Sequence, residues 1–398
     1  MMALRLAALA ALVLIAACEN PSSNGSAPAG PAIEIASEFP LRGDLTFPEL
    51  DRAVDIAITE HPSVDGYRLV HLTLDDSLGG VWDTDRALQN MRRAVRESAI
   101  AGVIGPLTSD QATVLIPLGS DSNLVVLSPS NTADCLTDQA ESCLVTPRAQ
   151  ATSTNYFRVA APDTLIARAA ADLAVRRLGA STFAVLTDPL GGLFAQPMSD
   201  AFSDEAAKLG GHVVFKQNFF PLETNFAPML REARAAGAQS LYVSTGNDPA
   251  CSIRSQMQGI FPPDAYLISG DRLADAGCIE DANLTSRTDD HFVLTIAARQ
   301  PASIPSDLTD LKRGVGYPVY TFAAYDCARI LIDAIDRAIR ANGGKIPTRE
   351  QVREAVAATS SFKGLTGTYT FKANGDVADP GFSFYTVKQG DWAFWRSP

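Results

Sequence analysis

From Ile33 onward, short apolar runs alternate with longer stretches whose apolar positions recur every three or four residues. Residues 32–36, 67–74, 103–106 and 124–127 read as strands, the first from Ala32-Ile33-Glu34-Ile35-Ala36 and the third closed by a Gly105-Pro106 stop. Between them, 50–59, 84–98 and 111–118 carry helical spacing, with Leu88, Met91 and Val95 predicted to face inward in the middle one. The rhythm then restarts. Helices are predicted at 165–178, 195–209 and 226–236, and strands at 183–186, 213–215, 240–244 and 266–269.

Alternation of this kind predicts parallel sheets with helices on both faces. Two such blocks predict an α/β chain of two doubly wound lobes, each with its own core. In open sheets of this type ligands bind beyond the carboxyl ends of the strands. The loops after Ile104, Leu127, Leu186, Val243 and Ile268 are therefore where a site is expected.

The first residues follow a different pattern. Arg5 precedes an unbroken apolar stretch over 7–17, too short for the ~20 residues that span a bilayer. It fits the core of a signal peptide covering 1–17. The stretch ends Leu14-Ile15-Ala16-Ala17-Cys18, which resembles the lipobox of bacterial lipoproteins and implies cleavage before Cys18 and a lipid on its thiol. Residues 18–31 follow, rich in Ser, Gly and Pro with no large apolar side chain, and read as a flexible linker.

Composition narrows the function. The chain has 398 residues, 46% hydrophobic and 20% charged, an ordinary globular balance. Its formal net charge of -12, without a basic cluster, argues against nucleic acid as a partner. The four histidines, His61, His71, His212 and His291, are scattered. No metal-ligand spacing, phosphate-binding glycine loop, serine-hydrolase elbow or C-x-x-C occurs, so no cofactor, metal or catalytic residue is expected. Export would place the cysteines in an oxidising compartment. Cys135 and Cys143 bracket a short polar loop that they could close. Cys251 and Cys278 sit in consecutive loop regions and offer a second bridge, although sequence alone leaves the pairing open. Cys327 lies in a helical pattern with Ala323, Ile330 and Leu331 and reads as a buried free thiol.

Several segments in order carry a resemblance. Val103-Ile104-Gly105-Pro106-Leu107-Thr108-Ser109, Leu127-Ser128-Pro129-Ser130-Asn131-Thr132, Asp75-Asp76 after a strand, Tyr156-Phe157-Arg158-Val159 and Tyr325-Asp326 together look like the type I periplasmic binding proteins, in particular the branched-chain amino-acid branch. The resemblance implies two lobes joined by three crossovers, near Arg158, Thr295 and Ala378. Lobe 1 would hold 32–158 and 296–377, and lobe 2 would hold 159–295 and 378–398. It also implies a monomer that takes an amino acid or similar small polar ligand to the membrane subunits of an ABC importer, tethered to the membrane through Cys18. A ligand-sensing receptor domain of the same fold is the alternative; it would normally carry a membrane span and a further module.

The resemblance assigns roles as well. Ser109, an N-cap type residue ahead of the 111–118 helix, matches a serine that contacts the ligand carboxylate; the other reading is that it only caps the helix, and Asp110 beside it is also a good cap. Ser130, through its carbonyl, and Thr132 match acceptors for the ammonium group. Asp271, after the strand at 266–269, matches the acid that pairs with it. The walls depart from the pattern. Leu190 and Asn247 stand where the branched-chain binders often have aromatics, Arg42 and Asp44 occupy the first loop, and Tyr320 is a candidate wall. Such a pocket suits a polar or charged amino acid, or an amide, as well as leucine.

Overall fold

The computed structural model describes residues 31–43, 47–138, 140–146, 153–245, 247–270, 276–286, 289–313 and 318–397. The expected signal peptide and the linker up to residue 30, with Cys18, lie outside these residues, as do Asp44 and Asp271.

The first lobe is built from β1 (Ala32–Phe39), α1 (Pro48–Glu60), β2 (Ser63–Val64), β3 (Tyr67–Asp75), the small hairpin of β4 (Ser77–Leu78) and β5 (Val81–Trp82), α2 (Thr84–Arg96), β6 (Ile100–Ile104), α3 (Ser109–Ser120), β7 (Val125–Ser128) and β8 (Tyr156–Arg158). Its sheet runs β2-β3-β1-β6-β7-β8, parallel throughout except for the β2–β3 pair. Strands β6 and β7 are buried along their whole length, so they read as continuous apolar runs. Alternation still sorts their side chains. Val103 and Val126 join a core with α2 and α3, while Ile104, Val125 and Leu127 join one on the opposite face of the sheet.

The second lobe follows with α4 (Asp163–Asp172), β9 (Thr182–Thr187), α5 (Ala195–Lys208), β10 (His212–Asn218), α6 (Ala227–Ala235), β11 (Ser240–Ser244), α7 (Asn247–Met257), β12 (Leu267–Gly270), α8 (Ala276–Asp281) and β13 (Asp289–Ile296). The chain returns to the first lobe through α9 (Pro318–Ala341), α10 (Arg349–Ala357) and the hairpin of β14 (Phe362–Lys363) and β15 (Thr368–Tyr369). It closes the second sheet with β16 (Ser383–Lys388) and β17 (Asp391–Arg396). That sheet runs β10-β9-β11-β12-β13-β16-β17, with β16 and β17 antiparallel to their neighbours. Its core is a single apolar cluster, in which Phe202 stacks on Tyr242 at 4.0 Å between ring centroids. The α/β, two-lobed expectation is met.

Differences in detail have local causes. The helix expected at 165–178 ends as an α-helix at Asp172 and continues as a π-turn, Leu173–Arg177, because its apolar spacing runs on where the i→i+4 pattern stops. Ser109 is not the cap of α3. Thr108 is, in a capping box with Gln111, so the helix starts two residues before the apolar spacing does. Cys135–Cys143 and Cys251–Cys278 are bonded, the latter joining α7 to α8 rather than two loops, and Cys327 is a buried free thiol.

The links between lobes lie side by side. The Ala161 N–H donates to the Ala297 carbonyl at 2.9 Å, and the Arg158 N–H donates to the Gly375 carbonyl at 3.1 Å. Arg158, fully buried, holds the cluster together. Its Nε donates to Asp376 Oδ1 at 2.7 Å, and its other nitrogens reach the Ala133 carbonyl at 2.7 Å and Thr137 Oγ1 at 3.0 Å.

Candidate functional site

The carboxyl tips of β6 and β7 deliver two loops to the same place. Gly105 at the end of the first has φ 125°, and a side chain there would collide with the Glu38 carbonyl oxygen, so only glycine fits. The second loop is folded by its own polar groups. Ser128 Oγ accepts the N–H groups of Ser130 and Asn131 at 3.2 and 3.0 Å, and Ser130 Oγ donates to the Leu107 carbonyl at 2.8 Å. Asn131 Nδ2 donates to the carbonyls of Pro106 and Leu107, each at 3.0 Å.

Because Thr108 caps α3, the Ser109 hydroxyl is released from capping. It accepts the N–H groups of Thr132 and Ala133, each at 3.2 Å. Ser109, Ser130 and Thr132 are thus brought together, all half-buried, at the amino end of a 12-residue helix. A helix start offers N–H groups and a positive partial charge, which suit an anionic group.

The second lobe meets this place directly. The Asp163 N–H donates to the Thr132 carbonyl at 2.9 Å. Thr164 donates its N–H and hydroxyl to the Asp134 carboxylate at 3.0 and 2.7 Å, so a first-lobe acid binds the first turn of α4. Leu193, after β9, packs against the first-lobe cluster around α2 and α3, and a Cβ on Gly192 would lie 3.4 Å from Asp110 Oδ2. Asp188, at the tip of β9, is buried and accepts Leu190 N–H at 2.9 Å and Thr245 Oγ1 at 3.2 Å.

The other expected site residues are more dispersed. Leu190 sits in the turn after β9 and is 72% exposed. Tyr320, near the start of α9, is buried within the second-lobe apolar cluster. Arg42 is exposed and pairs with Asp75 at 3.1 Å. Asn247 opens α7. Sequence reasoning passed over Glu38, Asp76 and Gln111, all fully buried close to the start of α3. The available signal was an acid inside an apolar strand, and the Asp75-Asp76 pair. Burial pushes the Asp76 carboxyl up to about 7, against the opposing hydrogen bond from Gln111, and Asp75 adds to the rise. Burial likewise raises Glu38 well above the usual range, against a bond from Asn90, with the Asp76 charge adding to it.

Among the described residues no group of His, Cys, Asp and Glu converges to hold a metal ion, and no helix is long and apolar enough to cross a membrane. The groups gathered here between the two lobes are hydroxyls, N–H groups and carboxyls.

The chain is similar to known proteins. A Leu/Ile/Val-binding protein homolog from Brucella melitensis is 20% identical over 294 residues, covering 72% of this chain and 73% of that protein. The crystal structure of a leucine-binding protein from Thermotoga maritima superposes with a TM-score of 0.73 at 23% identity, over 92% of this chain and 98% of the other. A branched-chain amino acid transporter substrate-binding protein from Streptococcus pneumoniae, in complex with isoleucine, gives 0.71 at 18% identity, over 92% and 100%. These likenesses establish the fold. Residues 42–260, more than half of the chain, match the periplasmic binding protein family in sequence, and the chain belongs to that family.

Proposed function

We propose that this chain is an extracytoplasmic solute-binding lipoprotein that captures an amino acid or similar small polar ligand and delivers it to an ABC importer. The observation that carries this reading is the junction of Ser109, Ser130 and Thr132 at the start of α3, facing the first turn of α4 across the lobes. A free amino acid presents a carboxylate and an ammonium on one carbon. The start of α3 suits the first, and the carbonyls of the second loop, with Asp271 as the acid that the family resemblance assigns to the ammonium group, suit the second. The relatives named above are described as binding leucine, isoleucine or valine, which supports the ligand class. With Leu190 and Asn247 where the branched-chain binders often have aromatics, a polar or charged amino acid, or an amide, fits as well as leucine. Residues 1–17 act as the export signal, 18–31 as the tether, and the lipid on Cys18 as the anchor. The binding unit works as a monomer, with lobe limits at 32–158, 159–295, 296–377 and 378–398.

The test is a thermal-shift screen of amino acids, amides and small carboxylates on protein that has been unfolded and refolded to remove copurified ligand. A true ligand at 100 times its Kd adds about 2.7 kcal/mol of stability. Small-angle scattering at saturation should show a smaller radius of gyration. Asp271→Ala should weaken the best amino acid by about 2 kcal/mol or more. A panel with no shift and an unchanged radius would overturn the proposal.

A further inference from the structure

We propose that Asp76 is a positioning residue for the cleft: held beside Glu38 in a buried acid pair, it fixes Gln111 and through it the amino end of α3, and does so in a way that one proton controls. This rests on the reading above in assigning α3 to the ligand, but the device itself sits in the unliganded protein.

The chain of contacts is continuous. Asp76 Oδ2 accepts the Gln111 amide at 2.6 Å. That bond turns the Gln111 Oε1 toward Thr108, whose hydroxyl donates to it at 3.1 Å. Thr108 Oγ1 in turn accepts the Gln111 N–H at 3.3 Å, closing the capping box beside Ser109. A carboxyl thus sets the orientation of the amide that sets the cap. Glu38 belongs to the same pocket, with Oε1 accepting Asn90 Nδ2 at 3.0 Å. Asp76 Oδ1 and Glu38 Oε2 are both buried with no hydrogen-bond partner. An anionic oxygen without a donor is costly to bury, whereas a protonated carboxyl removes the charge.

The groups around the pair reinforce this. From β1 comes Glu38, from the end of β3 Asp75, and from the cap of α2 Asp83, all acids, and Asp75 and Asp83 both push the Asp76 carboxyl up. From α2 and α3 come only the neutral Asn90, Gln111 and Thr108, while Asp110 is exposed beyond the cap. Arg42 pairs with Asp75 rather than with either member. Asp44 lies outside the described residues. With no cation contacting it among the described residues, the pair is neutral below the range in which Asp76 titrates. Above it, a buried negative charge forms under the first turn of α3. That charge takes up the positive end of the helix that an incoming carboxylate needs, and burying it strains the cap.

Two measurements on the ligand-free protein test the device with the proton as the probe. Infrared difference spectra should show a protonated-carboxyl C=O band at pH 6 that is lost by pH 8.5, and this component should be missing in Asp76→Asn. Hydrogen exchange of the peptide spanning 108–120, corrected for intrinsic rates, should lose protection above pH 7, by up to about tenfold per pH unit. In Asp76→Asn, which keeps an acceptor for Gln111, protection should be flat with pH. In Asp76→Ala it should be low throughout. Glu38→Gln, a neutral amide in place of a neutral acid, should leave the Asp76 titration and the pH-dependent loss of protection in place, and gives a second route if an Asp76 variant folds poorly. No titrating band in the wild type, or protection of 108–120 unchanged from pH 6 to 8.5, would overturn the proposal. Because neither readout uses a solute, they can succeed while the ligand screen fails, and the reverse.

Discussion

Replacing Arg158 by Met is the most direct challenge to the picture of three adjoining crossovers. The side chain is fully buried and makes an ion pair with Asp376, whose own side chain is 13% exposed. Its remaining donors serve the carbonyls of Ala133 and Asn131 and the Thr137 hydroxyl. Removing the guanidinium strands the Asp376 carboxylate, which keeps only Thr137 Oγ1 and Asn374 Nδ2 as donors. Stranding one partner of a buried pair costs about 3–5 kcal/mol. Asp376→Asn strands the cation instead and should cost a similar amount. In the double variant the charge problem disappears. What is left is two loop carbonyls short of a donor, at about 1–3 kcal/mol each. The double variant should therefore cost clearly less than the sum of the singles, with an interaction energy of about 2–4 kcal/mol. Urea unfolding followed by circular dichroism measures all three, compared at a common slope. Because the same carbonyls belong to the loop of Thr132, both Arg158→Met proteins should also lose affinity in the ligand screen. Single variants that cost less than about 1 kcal/mol, or that add without interaction, would refute the argument that the pair is desolvated and ties the second loop to the crossovers.

Other expectations concern stability alone. Loop-closure entropy assigns about 3.5 kcal/mol to the Cys251–Cys278 bridge, which spans 27 residues, and about 2.5 kcal/mol to Cys135–Cys143, which spans 8; calorimetry of Cys→Ser pairs should rank them in that order. Asp76, raised from 3.8 to about 7 on folding, favours the unfolded state as pH rises. The sign follows from the raised value: below about pH 4 both states are protonated and there is no penalty, between pH 4 and 7 only the unfolded state ionises, and above 7 the full penalty stands. At 1.36 kcal/mol per unit this approaches about 4 kcal/mol, so Asp76→Asn should gain stability over wild type at pH 8 and not at pH 4, in parallel urea titrations.

Much of the fold was legible because its central strands β6, β7, β9 and β11 are buried almost throughout. Leu124-Val125-Val126-Leu127 and Phe183-Ala184-Val185-Leu186 leave no other reading once they alternate with amphipathic segments. The strands β16 and β17 were not legible as such: Phe382, Phe384, Trp392 and Trp395 mix with polar residues, and β16 is placed by pairing with β13, a partner distant in sequence, while β17 pairs in turn with β16. Boundaries failed where two residues compete for one task. Thr108 and Ser109 are both good caps, and composition does not choose between them. The choice is made by Gln111, three residues after Thr108, which completes the capping box, and by Asp76, which holds Gln111 from another strand.

That division of labour bears on what the cleft can recognise. Had Ser109 capped α3, its oxygen would face back along the helix and the side-chain links between the two loops would be those of Ser128, Ser130 and Asn131. With Thr108 as the cap, Ser109 draws the N–H groups of Thr132 and Ala133 to the helix start, so one hydroxyl registers the first loop against the second. Thr132 in turn accepts from Asp163 of the other lobe. On the proposed reading, a ligand anion at α3 would meet a helix start that is registered by Ser109 within the first lobe and touched by the second lobe through Asp163. On that same reading, a solute that binds more tightly where the Asp163–Thr132 contact is made would shift a two-state hinge by that difference in affinity and by no more.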